Sequence, residues 1–391
     1  MKIAVVFHKM VYGGVERVGI SYIKLLCEKG HEVDVIILEK DTEAIVEEVK
    51  PYATVKVLDF PKYLCSEAYW IMAKNHNWGR FVFPITTAIL AIAKPFLKAA
   101  YGISKQYDVA IAFSGYYNDL TFVADSYIRA KSKCAWMHGA QATFMTISPG
   151  YGNLYRKIKN LVCLSEDLDS ACLTFNHTYG INKCKIYNPL FVNKDGVDSD
   201  FVAQLKERYG DFCLMVARLD HDKDQKTAIL AMKYLRENLG LTKRLVLVGD
   251  GPLRAEVEEF VEQQQMRELV HFAGTRSDVQ NYYSAASVYV HSSPAEGLPT
   301  VLLEAMGFDL PIAATNSMPG VGEILQGKCG LVTPVRDARA LAESIARLYQ
   351  DAALRDRLVT AGKERIRDFS PEMISDAVEK YLKNIGVQND Y

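Results

Sequence analysis

The stretch SSPAEGLPTVLLEAMG, residues 292–307, puts Glu296 in a polar loop and Glu304 eight positions further on, inside an apolar run that reads as a helix. Pro299 suits the first helical position, because the N–H it lacks has no partner at a helix start anyway. The free N–H groups there and the positive end of the helix dipole together favour an anion. A diphosphate at this helix start leaves Glu304 roughly 7–8 Å along the axis, at ~1.5 Å per residue, where its carboxylate can accept from a ribose diol. Glu296, across the Gly297-Leu298-Pro299 turn, can accept from sugar hydroxyls. Two isolated glutamates are as readily a loop residue and a solvated helix residue. The neighbouring motifs therefore decide the reading.

In ARLDHDKDQKTAILAM, Arg218 and Lys223 stand at the end of a strand and ahead of the next helix. Ligands of open α/β sheets bind beyond the carboxyl ends of strands, and two cations five residues apart there can neutralise two phosphates. Surface basic residues in a polar loop are the plain alternative. VGDGPLR ends another strand, with Gly249 and Gly251 able to let backbone approach a ligand, though a turn is all that Gly251-Pro252 requires. Gly13 and Gly14 separate the first strand from the first helix; their N–H groups can reach a phosphate or sugar, or they serve only a tight turn. The full G-x-G-x-x-G is missing, which argues against a dinucleotide site. His138 follows a strand and precedes Gly139, where a cleft residue lies, although a lone histidine is more often structural. Asp220-His221-Asp222 resembles a D-x-D metal pair but flanks Lys223, whose charge replaces a cation's. No metal and no cofactor are expected.

The elements that must hold these residues repeat one pattern. KIAVVF, a glycine loop, the helix VERVGISYIKLLCEKG and EVDVIIL make a βαβ unit, with Glu16, Arg17, Lys24 and Glu28 of the helix expected in solvent. Further strands at VKVLDF, DVAIAF, KCAWMH and NLVCLS continue an open sheet. At KIYNPLFVNKDG the pattern breaks, and from FCLMVAR a second alternation of strands and helices begins. SPEMISDAVEKYLKNIG closes the chain as an amphipathic helix, with Ser370 as N-cap and Pro371 at N1.

The composition is that of a globular chain of two or three domains: 391 residues, 49% hydrophobic, 24% charged. The formal charge of −1 divides as +5 over residues 1–187 and −6 over 188–391. Eight scattered cysteines without a C-x-x-C pair fit a reduced compartment and no zinc site. The apolar start is too short for a signal sequence. Residues 81–101 approach membrane length, but Pro84, Pro95, Lys94 and Lys98 argue against a spanning helix.

Taken together, GGVERVGISYIKLLCEKGHEVDVI, RLDHDKD with its R-x4-K spacing, VGDGPLR, VHFAGTRSDVQNYYSAASVYVHSSPAEGLPTVLLEAMGFDLPI and the closing FSPEMI segment resemble the retaining glycosyltransferases of family four. The E-x7-E pair of Glu296 and Glu304 is the most specific item. The resemblance implies a GT-B fold: two Rossmann-like doubly wound α/β domains facing across a cleft. Residues 1–187 with the crossing helix 371–391 would form the acceptor side, and 188–370 the nucleotide-sugar side. It further implies that Arg218 and Lys223 stabilise a departing diphosphate and that Glu304 holds the ribose. Glu296 with the N–H groups near Gly297 and Leu298 would grip the sugar. Gly14 would approach from the other domain, His138 would lie near the reacting carbon, and Thr275 and Arg276 would border the nucleobase. Uridine diphosphate is the expected carrier.

Residues 62–107 hold six Lys or Arg against Glu67 alone, interspersed with Trp70, Trp78, Phe81, Phe83 and Phe96. That mixture fits attachment to an anionic leaflet, or helices that simply pack on the first sheet. The expectation is a cytoplasmic protein, peripheral on the inner face of a membrane, that glycosylates a saccharide or lipid-linked saccharide and binds no nucleic acid. Rival readings are a silent scaffold subunit and a nucleotide-sugar epimerase or phosphorylase of the same architecture; a Rossmann oxidoreductase is disfavoured.

Overall fold

β1 (Lys2–Phe7) and β2 (Glu32–Ile37) are buried at every position but the first, which suits strands covered on both faces of a parallel sheet. The computed structural model describes residues 1–11, 13–40, 44–138, 148–164, 180–192 and 194–387. In it, β1 and β2 join β3 (Thr54–Val57), β4 (Ile103–Ala112), β5 (Ile128–Met137), β6 (Asn160–Cys163) and β7 (Asn182–Lys185). The sheet is parallel, in the order β3-β2-β1-β4-β5-β6-β7. Ile3 of β1 faces Val33 on one side and Val109 on the other. The chain therefore winds outward in both directions from β1, and the crevice beyond β1 and β4 is the topological switch point. The helix Pro371–Val387 packs on this unit: Ile374, Val378, Leu382 and Ile385 share a core with Tyr22, Leu26 and Trp136. Ser132 Oγ donates to the Ile385 carbonyl at 2.7 Å. The unit comprises Met1–Pro189 and Pro371–Tyr391.

Leu190–Ser370 form a second unit. Its strands are β8 (Phe212–Val216), β9 (Arg244–Val248), β10 (Val270–Gly274), β11 (Val288–His291), β12 (Ala295–Glu296), β13 (Ile312–Thr315), β14 (Met318–Pro319) and β15 (Leu331–Thr333). Six of them build a parallel sheet in the order β10-β9-β8-β11-β13-β15, and β12 pairs with β14 apart from it. The helices Gln225–Leu239 and Ala338–Gln350 cover the sheet through Ile229, Met232 and Leu235, and through Leu341, Ile345 and Leu348. Here the switch point lies between β8 and β11. Both units are doubly wound α/β domains.

Candidate functional site

Lys223 follows β8 and Glu296 follows β11, the two strands that flank the second switch point, so the reversal of winding brings them together. Lys223 Nζ lies 2.7 Å from Glu296 Oε1, with the side chains 21% and 15% exposed; Asp222 is 3.3 Å from the same ammonium. Ser292, the first residue after β11, points its hydroxyl at the carbonyls of Lys223 (3.1 Å) and Asp224 (2.8 Å). Asp224, at φ +47, caps the next helix by accepting from the Thr227 N–H and, at 2.7 Å, from its hydroxyl. Gln225 Nε2 donates to the Arg218 carbonyl at 2.8 Å. The Arg218 guanidinium is largely exposed and pairs with Asp220 at 2.9 Å. Each cation thus has a carboxylate partner on its own domain, and a bound anion must compete with it.

The Glu296 loop is tied down at several points. Glu296 pairs with Pro319 in the β12–β14 ladder. Thr315 Oγ1 donates to the Ser293 carbonyl at 2.7 Å, and the Ser317 hydroxyl donates to the same oxygen. Gly297 and Pro299 pack on Gly320, where a Cβ would come within 2.7 Å of the Gly297 carbonyl oxygen, and Leu298 is buried. Pro299 lies one residue outside the helix rather than at its first position. Its ψ of 100° is extended, and the helix is Thr300–Gly307. As N-cap, proline offers no side-chain acceptor, and no side chain caps the first turn. Glu304 lies within this helix, where Tyr283 Oη donates to its Oε2 at 2.9 Å. Tyr283 is buried and stacked on Phe308 at 5.5 Å, and burial beside the Glu304 charge pushes its phenol well above the usual range.

Two residues that sequence reasoning missed shape this site. Tyr283 fixes Glu304 from an adjacent helix. His291, the last residue of β11, lies 3.9 Å from Glu296 Oε1; burial first and the Lys223 charge second push its imidazole down to about 3. It is therefore neutral near pH 7 and does not compete with Lys223 for Glu296. The only sequence signal was its place at a strand end, in HSS.

The glycines of VGDGPLR also have a role within the chain itself. A Cβ on Gly249, at φ +133, would run into the Ala217 carbonyl, and one on Gly251 into the Leu219 carbonyl. The Leu219 N–H donates to the Asp250 carbonyl and the Leu253 N–H to the Leu219 carbonyl, both at 3.1 Å. What these glycines allow close is the chain's own loop, the one carrying Arg218. Thr275 is exposed. Arg276 binds Asp278 through two nitrogens at 2.8 and 2.7 Å and lies over the rings of Phe201 and Tyr282. Arg276, Phe201 and Tyr282, with Tyr209 and Phe272, line a cavity of about 320 Å³.

The remaining expected residues belong to the first unit. Gly13 is the N-cap of the helix Gly14–Glu28, and Glu16, expected in solvent, is buried with its carboxylate where a Gly13 Cβ would sit. The helix start thus draws in its own third-position acid, and burial raises that carboxyl above its usual range. Gly14 has open space where a Cβ would go. His138 follows β5 and donates from Nε2 to the Phe113 carbonyl at 2.8 Å; burial pushes its imidazole down to about 4. Gly139, its neighbour in the motif, lies outside the described residues. At the first switch point His8, another strand-end histidine, meets Asn118 through Nδ1 and has Glu39 at 3.6 Å. Among the described residues no cluster of three or more metal-ligating side chains occurs.

Residues 198–365 match the family model described as glycosyl transferases group 1. Over this segment, which lies in the second domain, the chain is similar to the group 1 glycosyl transferases. The chain is 33% identical over 174 residues, 44% of its length and 47% of the relative's, to a Campylobacter jejuni α-1,4-N-acetyl-D-galactosaminyltransferase named for a GalNAc-containing, diNAcBac-PP-undecaprenol substrate. It is 34% identical over 134 residues, 34% of its length and 39% of the relative's, to the lipopolysaccharide core biosynthesis glycosyltransferase LpsD of Rhizobium meliloti. The chain spans less than half the length of these two relatives. The fold as a whole is similar to that of Anabaena Alr3699/HepE in complex with UDP, with a TM-score of 0.74 at 19% identity over 98% of this chain and 100% of that one. It is also similar to that of the sucrose-phosphate synthase of Thermosynechococcus elongatus, with a TM-score of 0.71 at 19% identity over 99% and 100%. The chain accordingly has the GT-B fold, and its Lys223–Glu296 pair and the Glu304 helix fall within the segment that matches the group 1 model.

Proposed function

We propose that the protein is a retaining, metal-independent glycosyltransferase. It moves a sugar from a UDP-sugar to a hydroxyl of a saccharide acceptor, lipid-linked and handled at the cytoplasmic face of a membrane during surface-glycan assembly. The observation that carries the reading is the Lys223–Glu296 pair at 2.7 Å, held at a switch point beside a helix start that no side chain caps. The names of the Campylobacter and Rhizobium relatives support the glycan setting, and the UDP-bound Anabaena neighbour supports the carrier.

In this reading the diphosphate draws Lys223 and Arg218 away from their carboxylates and lies against the first turn of the helix Thr300–Gly307. Glu304, held by Tyr283, accepts from the ribose diol, while Glu296 and the backbone near Gly297 and Leu298 grip the sugar. Thr275 and Arg276 border the base, and Gly13, Gly14 and His138 serve the donor from the first domain. As the anomeric bond breaks, its electron pair goes to the diphosphate, so fixed cations stabilise the transition state more than the ground state. The acceptor oxygen bonds to the anomeric carbon on the face the diphosphate leaves, and its proton passes to a leaving-phosphate oxygen. The test is UDP release from a panel of UDP-sugars, with the first anomer formed read by proton NMR. An α product from an α donor supports retention; a β product contradicts it.

A further inference from the structure

The helix Gly79–Tyr101 is the one described helix long and apolar enough to cross a membrane, yet none of its most apolar window is buried. It rests on the first unit along its length: Phe83, Leu90 and Leu97 are half-buried, Phe83 packs on Trp70 at 4.5 Å, and Lys94 reaches Asp125 at 2.9 Å. The opposite side carries Trp78, Phe81, Ile85, Ile89, Ile92 and Phe96, each between 53% and 78% exposed. Spaced three or four apart, they form one ridge about 27 Å long. Single exposed apolar residues are ordinary, but an unbroken ridge of this kind marks an interaction surface.

We infer that this ridge is a membrane-docking surface, which seats the helix in the interfacial layer of a bilayer containing anionic phospholipid. Three observations select that occupant. First, residues 68–107 contain five Lys or Arg and no Asp or Glu, and exposed Arg80 and half-buried Lys98, about five turns apart, share the far edge of the exposed face, about 100° round from Phe81 at the near side of the ridge. Arg80 has no ion-pair partner among the described residues. A second copy presenting the same segment would bring no acid to answer these cations. Second, the half-buried inner face fixes the helix flat against its domain, so it lies in the interface, entering by roughly 5–10 Å, and does not span. Third, Trp78 at the end of the ridge is a residue type that favours the headgroup level.

The structure also narrows the patch that composition suggests. Lys62 pairs with Glu39, Lys94 with Asp125, and Lys105 with Glu32 and Asp34, while Trp70 and Phe83 pack on each other. The ridge and Arg80 are what remains exposed. The inference deepens the membrane-attached reading proposed above, but vesicle binding is measured without donor or acceptor. A failure here leaves sugar transfer standing, and a failure of transfer leaves docking standing.

The test is flotation of the full chain with vesicles of phosphatidylcholine alone and of phosphatidylcholine with phosphatidylglycerol at 7:3. The protein is expected to float with the anionic vesicles and several-fold less with the neutral ones. Ile92→Glu with Phe96→Glu, on side chains that bury little, should abolish flotation at an unchanged melting temperature. Arg80→Gln should weaken anionic binding about fivefold, the contribution of one basic residue at such a surface. Wild-type protein that stays at the bottom with both vesicles overturns the inference, as does a double variant that still floats. A dimer in light scattering that the double variant dissociates, with no vesicle binding, gives the ridge to a second copy and also overturns it.

Discussion

Glu296→Gln is expected to tighten UDP binding while it slows sugar transfer. Lys223 and Glu296 meet at 2.7 Å with both side chains recessed, and at an effective dielectric constant of about 20 the bare attraction is on the order of 6 kcal/mol. Desolvation and lost side-chain freedom offset most of that, so the net strength of a partly buried pair is about 1–2 kcal/mol. A diphosphate must overcome that much to recruit Lys223. The amide keeps the shape and removes the competing charge, so the Kd for UDP should fall roughly 5–30-fold. Turnover of the UDP-sugar should fall about 30–150-fold, because a charge-assisted hydrogen bond to the sugar, worth ~2–3 kcal/mol, is weakened in the transition state. Calorimetry with UDP on the wild type, Glu296→Gln, Lys223→Ala and the double variant separates the terms. The gain should vanish once Lys223 is gone. Weaker UDP binding by Glu296→Gln, or an equal gain with and without Lys223, would refute the idea that the Glu296 carboxylate and the diphosphate compete for one ammonium.

Lys223→Ala and Glu304→Ala should each lower turnover a hundredfold or more, on the order of 3 kcal/mol; steady-state rates near wild type would remove them from the site. Gly14→Ala should leave the melting temperature unchanged, since nothing lies within 4 Å of the added Cβ, yet weaken the UDP-sugar. Unaltered donor affinity would make Gly14 a turn residue only. His138 and His291 are held neutral, at about 4 and about 3 against an ordinary 6.5, so between those values the unfolded chain binds more protons. Stability therefore rises with pH up to ~6.5 and falls below it, each histidine costing on the order of 2 kcal/mol between pH 7 and 5. Denaturant melts of His291→Asn at the two pH values should show a drop smaller by about that amount, and an unchanged drop would contradict the assignment. Treatment with EDTA should leave transfer nearly intact; complete loss, restored by a divalent cation, would overturn the role given to Lys223 and Arg218.

The apolar strands and the helices between them were legible because buried parallel strands such as KIAVVF and RLVLV carry unbroken apolar runs, bounded by glycine or polar turns. β7 was not, since NKCK is half-exposed and lacks that run. The two-residue strands β12 and β14 have no periodicity to read, although they set the position of Glu296. Among the candidate site residues, Lys223, Glu296 and Glu304 could be singled out because their chemistry shows in residue type and spacing. Tyr283 and His291 could not, because an aromatic in a helix and a histidine at a strand end look like core until the neighbours are in place. Glu16 failed for the opposite reason. Helical periodicity assigns it to solvent, but the exposed N–H groups of the first turn and the space beside Gly13 draw it inward. Gly249 and Gly251 were recognised as sites of close approach, and only the three-dimensional contact shows that the Arg218 loop is what approaches.

The switch point of the second domain should hold a nucleoside diphosphate through Lys223. Thermal denaturation of the full chain with UDP, GDP and ADP, each at about 100 times a micromolar-range dissociation constant, tests it most directly, because binding at that excess adds ~2.7 kcal/mol of stability. The melting temperature should rise with UDP, and Lys223→Ala should abolish the rise. No rise with any nucleotide, or the same rise in the variant, would contradict it.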